Sequence, residues 1–250
     1  MPPNNSSKLL HENGKNRYSK DFVSLDPATW PKEWHTTFYK EYSRFSSVPL
    51  PEIEESKKTP LIELIGNRKS KREFRGHGLS LSDLGLLLKY SCGEFKTINS
   101  SVEEIHRAQP SAGARWPIEM YVILRKSKDA NLKPGVYHYN VKLNTLEFLW
   151  EEKDSKLNPG LLVRDDWAEK ADAIFVMSSV FWRSQNKYGD RGYRYLCVEV
   201  GAIIQNLYLL TATLGMSVVA YGGTNDDEIE KLLALDTNTE SLITTVLIGS

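Results

Sequence analysis

The chain has 250 residues, 40% of them hydrophobic and 26% charged, the balance of a folded globular protein rather than a disordered or fibrous one. Lysine plus arginine and aspartate plus glutamate number 32 each, so the formal net charge is zero. That excludes nucleic-acid binding through a general basic field and leaves only a local basic groove open.

In chain order, residues 1–20 are polar and aperiodic and are expected to be disordered. The opening MPPNNSSKLLHENGKN lacks the apolar centre of a signal peptide. No apolar run is read as reaching a membrane span, so a cytoplasmic location is expected. Residues 21–58 form an aromatic arm and connector. In WPKEWHTTFYKEY, the spacing of Trp30, Trp34, Phe38 and Tyr42 predicts a helix, and SSVPLPEIEESKKTP is a proline-bearing link.

One domain is expected over residues 59–250. Thr59-Pro60 reads as the start of a short helix through Leu61, Leu64 and Ile65. A second helix, SLSDLGLLLKYSCG, carries a capping box of Ser80 and Asp83 and stops at Gly93. Strands are predicted at 118–125, at GVYHYNV and TLEFLW around a turn at Lys142–Asn144, and at 171–181. A long helix runs from about Asp190, its N-cap, to Leu214 and closes at Gly215. The strand VVAYGG follows, then a helix capped by Thr224 and Asp227, then the strand LITTVLIG. Helices and strands mix without regular βαβ alternation, and no GxGxxG follows a strand, so the fold class is α+β and not a Rossmann fold. Cys92 and Cys197 fall in predicted helices, and His11, His35, His77, His106 and His138 are scattered, so neither a disulfide nor a metal site is expected.

Three segments are chemically pointed. NRKSKREF places Arg68, Ser70 and Arg72 at a helix end, either a solvated basic turn or a phosphate clamp. QPSAGARWPIE is small and turn-prone beside Arg115 and Trp116, so backbone there can approach a flat ligand. KYGDRGYRYL, residues 187–196, crowds a lysine, three tyrosines and two arginines at the mouth of an apolar helix. It is either a decorated corner or a proton-handling site. Glu199, one place off the apolar stripe, reads as a solvated or salt-bridged carboxylate.

Together with YGGTNDDEI, and in this order, these segments resemble the nitroreductase-type flavoproteins. Within them they are similar to the SagB-type dehydrogenases, the FMN-dependent azoline oxidases of thiazole- and oxazole-modified peptide biosynthesis. The likeness runs from about Trp30 to Gly249. It implies a nitroreductase-like fold, a central mixed, mainly antiparallel sheet flanked by helices, with FMN at a homodimer interface. It implies that Arg68, Ser70 and Arg72 hold the FMN phosphate and ribityl chain. Ser111, Ala112, Gly113 and Arg115 would lie along the flavin, the loop coming from the partner subunit. Gln205 and Asn206 would line or support the pocket, and Gly222 and Gly223 would approach the ring. Lys187 and Tyr188 would be the catalytic pair, and Arg191 and Arg194 would lower the pKa of Lys187 or bind substrate or FMN. An azoline-containing precursor peptide and cyclodehydratase subunits are the implied partners. Two departures stand out: Arg-Lys-Ser where Arg-Arg-Ser is usual, and Trp116 where tyrosine is common. A basic C-terminal segment that touches phosphate in many nitroreductases is not found before Ser250. A general NAD(P)H-dependent reductase and a flavin-bearing scaffold remain alternatives.

Overall fold

The computed structural model describes residues 6–15, 26–52, 59–99, 102–151 and 162–250. Its strands are β1 (Ser47–Pro49), β2 (Glu94–Asn99), β3 (Val102–Arg107), β4 (Ile118–Leu124), β5 (Gly135–Asn140), β6 (Thr145–Glu151), β7 (Ala173–Val180), β8 (Ser217–Tyr221) and β9 (Glu240–Gly249). Seven of them form one sheet in the order β1-β6-β5-β4-β7-β9-β8, while β2 and β3 form a separate hairpin. Every described strand pairing is antiparallel.

Alternate side chains of each strand enter different cores because successive residues point to opposite faces. In β4, Ile118, Met120, Val122 and Leu124 enter one core, and Tyr121 and Ile123 enter the other. In β7, Phe175 and Met177 face the first core, Ile174 and Val176 the second. Both faces are covered, so these strands read as continuous apolar runs in the sequence.

Helices α4 (Leu81–Cys92) and α6 (Gly192–Leu214) cover the first face through Leu84, Leu87, Leu88, Leu196, Val200, Ile203 and Leu207. Helix α4 starts at the expected capping box, Ser80 with Asp83. Helix α6 stops where Gly215 turns left-handed at φ 69°, a conformation glycine adopts without a Cβ penalty. By length and composition alone Trp182–Leu214 could cross a membrane, contrary to the sequence expectation, but its apolar stripe is packed on the sheet. Helix α7 (Asp226–Leu232) and the segment around Leu162 and Ala168 cover the second face.

Several local expectations change. Ser6–Asn13 forms helix α1, where disorder was expected; residues 1–5 and 16–20 of that stretch lie outside the described residues. The arm is not one helix. It has a 3-10 turn at Pro27–Thr29 and a short helix α2 (Lys32–His35), and Thr36 is extended. Its later side chains are drawn across the domain: Phe38 meets Trp182 edge-on, and Lys40 pairs with Glu240. Helix α3 (Leu61–Asn67) follows Pro60, with no side-chain cap from Thr59. Helix α7 is capped by Asn225, which accepts from the Glu228 N–H, because Thr224 turns to Asp226 instead. Finally, KYGDRGYRYL is a corner between two helices. Helix α5 (Trp182–Tyr188) ends at Gly189, whose φ of 53° turns the chain. A 3-10 turn at Gly189–Arg191 leads into α6, which has no side-chain cap, so Asp190 is not its N-cap.

Candidate functional site

The corner places Lys187 and Tyr188 at the end of α5. The Tyr188 ring packs edge-on against Tyr195 of α6, with centroids 4.9 Å apart. Lys187 Nζ lies 3.5 Å from the Trp30 ring centroid and 5.1 Å from that of Trp34. Burial, and then the Arg115 guanidinium, push the Lys187 pKa down. Burial, with Tyr195 beside it, pushes the Tyr188 phenol up. At neutral pH Tyr188 is therefore a protonated donor, beside an amine that gives up its proton more readily than an exposed lysine does.

The small-residue loop meets this pair within one chain. A Cβ on Gly113 would sit 2.4 Å from the Tyr188 hydroxyl and 3.3 Å from Lys187 Nζ. Gly113 also has φ 61°, and Ala114 and Trp116 beside it are left-handed too, a concentration of strain typical of functional sites. Gly113→Ala is expected to displace Tyr188 and cost on the order of 1–3 kcal/mol in stability. Comparing thermal denaturation with Tyr188 fluorescence quenching checks this; an unmoved Tyr188 would contradict the close approach.

Arg115, expected along the flavin, has another task. It is 3% exposed and donates to the carbonyls of Glu33 (2.8 Å), Trp34 (2.9 Å) and Arg183 (3.0 Å). It is a clamp that seats the arm over Lys187, helped by Trp34 Nε1 donating to the Asn186 carbonyl at 3.3 Å. Trp30 and Trp34 were missed as site residues. Their density was visible, but nothing in the spacing says which ring meets Lys187. Arg191 and Arg194, expected on substrate, hold α1 instead. Arg191 donates to the Gly14 carbonyl (2.8 Å) and the Tyr195 hydroxyl (2.7 Å), and Arg194 donates to the His11 carbonyl. Cations suit a helix C-terminus because its last carbonyls lack partners.

A second group gathers at the far end of α6. The Arg68 guanidinium lies 5.3 Å from the Tyr208 ring, and Ser70 Oγ is 2.8 Å from the Tyr208 hydroxyl, which also accepts from the Ala220 N–H at 2.9 Å. Arg72 lies 5.6 Å from the Trp167 ring, which packs edge-on against Tyr221. Gly222 and Gly223 follow directly, and a Cβ on Gly222 would meet open space. A cleft of about 330 Å³ runs beside Arg68, Lys69, Lys71 and Tyr208. Exposed guanidinium and ammonium groups next to a serine and open backbone suit a phosphate-bearing flat ligand such as FMN.

From Tyr195 to Tyr208 the helix rises about 20 Å, at about 1.5 Å per residue. The corner and the basic cluster thus lie toward opposite ends of one rod. Between them Val198, Gly201 and Gln205 are exposed, while Asn206 is turned inward to the Ser91 carbonyl at 3.1 Å.

Behind the corner lies a buried ionic chain. Arg183 of α5 pairs with Glu119 at 2.5 Å, Glu119 with His138 Nε2 at 3.1 Å, and His138 Nδ1 with Glu147 at 2.7 Å. Burial opposes the charge on Glu119, but Arg183 and His138 hold its pKa down to about 2. Glu199, expected to be solvated or salt-bridged, is 2% exposed and accepts from Gln109 Nε2 at 3.0 Å.

The model of the nitroreductase family matches residues 65–250. The chain belongs to the nitroreductase family. A Methanocaldococcus jannaschii family protein named as a nitroreductase, MJ1384, is 30% identical over 188 residues, 75% of this chain and 89% of that one. The trifolitoxin-processing protein TfxB of Rhizobium leguminosarum bv. trifolii is 26% identical over 94% of this chain and 65% of its own length. The microcin B17-processing protein McbC of Escherichia coli is 29% identical over 54% of this chain and 51% of its own. The resemblance to SagB-type members of the family rests on these two. The chain therefore spans less than two thirds of both processing proteins. Among solved structures, a nitroreductase-named protein of Anabaena variabilis superposes with a TM-score of 0.67 at 25% identity, over 97% of this chain and 45% of that one. The E. coli microcin synthetase McbBCD complex, with truncated pro-MccB17 bound, gives 0.60 at 24% identity, over 98% and 91%. A nitroreductase-fold protein of Desulfovibrio desulfuricans, in complex with FMN, gives 0.51 at 16% identity, over 77% and 87%. The last two show the fold alone. That fold is the expected α+β, nitroreductase-like one.

Proposed function

We propose that this nitroreductase-family oxidoreductase is an FMN-dependent dehydrogenase that converts thiazoline and oxazoline rings of a precursor peptide to thiazoles and oxazoles. The observation that carries the reading is the convergence of Lys187 and Tyr188 on Gly113. Aromatising an azoline ring removes a proton from one ring carbon and a hydride from its neighbour. FMN, when bound, supplies the acceptor for that hydride. Lys187, with its pKa lowered by burial and by Arg115, takes the proton as general base. Tyr188, held protonated, donates a hydrogen bond to the ring nitrogen. The arm's Trp30 and Trp34 cover Lys187 and limit water there. Molecular oxygen is the proposed final electron acceptor.

Arg68, Ser70 and Arg72 would hold the phosphate and ribityl chain. Backbone at Ser111–Gly113 and at Gly222–Gly223, with Gln205, would border the ring system. Since the corner and the basic cluster lie about 20 Å apart on α6, the reading joins the cluster of one chain to the corner of a second in a homodimer. Exposed Leu61, Ile62, Ile65 and Val198 are the apolar surface for it. The likeness to TfxB and McbC supports a peptide substrate and cyclodehydratase partners.

The test is mass spectrometry of a thiazoline-bearing peptide incubated with the protein, FMN and air, without NAD(P)H. A loss of about two daltons per ring is expected, the two hydrogens a flavin removes. An unchanged peptide with rapid NADPH oxidation would favour a general reductase, the reading suggested by the name of MJ1384. An unchanged peptide and no flavin binding would favour a scaffold.

A further inference from the structure

Glu199 takes no part in the chemistry above, yet it is buried under the loop on which that chemistry depends. It lies on α6, one turn beyond Tyr195, the ring that packs on Tyr188. Its carboxylate accepts from Gln109 Nε2 at 3.0 Å, and the Ser111 hydroxyl faces it. Ser111 Oγ in turn accepts from the Trp116 N–H at 2.9 Å. These bonds close the turn whose Gly113, Ala114 and Trp116 are left-handed and whose Gly113 abuts Tyr188 and Lys187. Such a turn keeps its shape only where its surroundings over-determine it, and Glu199 supplies the buried fixed point.

We propose that Glu199 is the positioning residue of the Lys187–Tyr188 site, holding the Ser111–Trp116 turn against that pair through Gln109 and Ser111. The inference rests on the reading of that pair as the reacting site. The groups facing Glu199 are Gln109 and Ser111 of the loop, Arg107 at the end of β3, Arg183 of α5 and Cys92 at the end of α4. Burial outweighs the bonds and cations and pushes the Glu199 carboxyl up to about 7. Ionised, it accepts from Gln109 and attracts the Ser111 hydroxyl that faces it. Protonated, it has a hydroxyl to donate, and Gln109 Oε1 is buried without a hydrogen-bond partner. Protonation therefore rewires the bonds that hold the turn.

The test follows the Cζ resonance of Tyr188 in 13C-tyrosine-labelled protein from about pH 5 to about 9, with the assignment made from Tyr188→Phe. The wild-type protein is expected to show one step near the Glu199 value of about 7. The step should vanish in Glu199→Gln and in Ser111→Ala, and kcat for azole formation should fall about tenfold with KM nearly unchanged. A flat wild-type profile, or a step that survives in both variants, overturns the proposal. Ser111→Ala removes one hydroxyl and decides the matter if Glu199→Gln does not fold. Full activity in Lys187→Ala would instead sink the reading of the site while leaving the Tyr188 step in place, so the two failures are distinguishable.

Discussion

Lys187→Ala is expected to lower azole formation by about 10²–10⁴-fold, the usual range for loss of a positioned base, while the protein folds and binds FMN as before. The structural cost is small because Lys187 is held by ring faces, Trp30 at 3.5 Å and Trp34 at 5.1 Å. A cation–π contact of this kind contributes roughly 0.5–2 kcal/mol. Lys187→Arg separates the two roles of the side chain. It keeps the cation over Trp30 but cannot be deprotonated near neutrality, so it too should be inactive. Because burial and Arg115 lower the Lys187 pKa, the wild-type rate rises with pH through that lowered value as the free amine forms. Single-turnover flavin reduction across pH checks both points. An arginine variant that reduces flavin at the wild-type rate would remove Lys187 from the proton transfer.

Arg183→Met is expected to destabilise the fold by about 3–5 kcal/mol, the cost of breaking a buried ion pair from one side. Glu119 is 4% exposed, and its partners are Arg183 at 2.5 Å and His138 at 3.1 Å. Without Arg183 its charge stays buried with half its compensation. A domain of this size loses roughly 2–4 °C of Tm per kcal/mol, so a drop on the order of 10 °C is expected at neutral pH. The pH dependence has a definite sign. A carboxylate held at about 2 when folded, against 4.5 as its ordinary value, stabilises the fold above 4.5, and that stabilisation is lost as pH falls from 4.5 towards 2. His138 has the opposite sense. Its folded pKa is raised by its bonds to Glu119 and Glu147, against the effect of burial. Its contribution is present below its ordinary value of 6.5 and lost as pH rises through the folded one. Arg183→Met should flatten the acid limb of the melting curve, and an unchanged acid limb would show that Arg183 does not hold Glu119 ionised.

The sheet and its two main helices were legible because their signals are local. The continuous apolar runs of β4 and β7, the Ser80–Asp83 box and Gly215 each act within a few residues. The arm was not legible, because its path is set by Arg115, which lies about eighty positions away and captures the carbonyls of Glu33 and Trp34. Nor was helix α5, because WRSQNKY carries no apolar period and lies ahead of the helix expected from about Asp190. In the candidate site, the lysine–tyrosine pair and the small-residue loop were singled out by residue type and given roles by the resemblance, and the structure brings them together at Gly113. Arg191 and Arg194 were placed on substrate by their neighbourhood alone. Only the fold shows that α1 returns to take both guanidinium groups. Glu199 sat off the apolar stripe and read as solvated, since its burial comes from a loop folded over the helix from outside.

Helix α6 carries the lysine–tyrosine corner near one end and the basic cluster near the other. In the proposed pair of chains, every complete site then has two owners. A chain without its basic end and a chain without its lysine corner, each inert with copies of itself, would together restore one working centre of the two. Turnover per chain would also fall on dilution, as the pair comes apart, even while each chain stays folded.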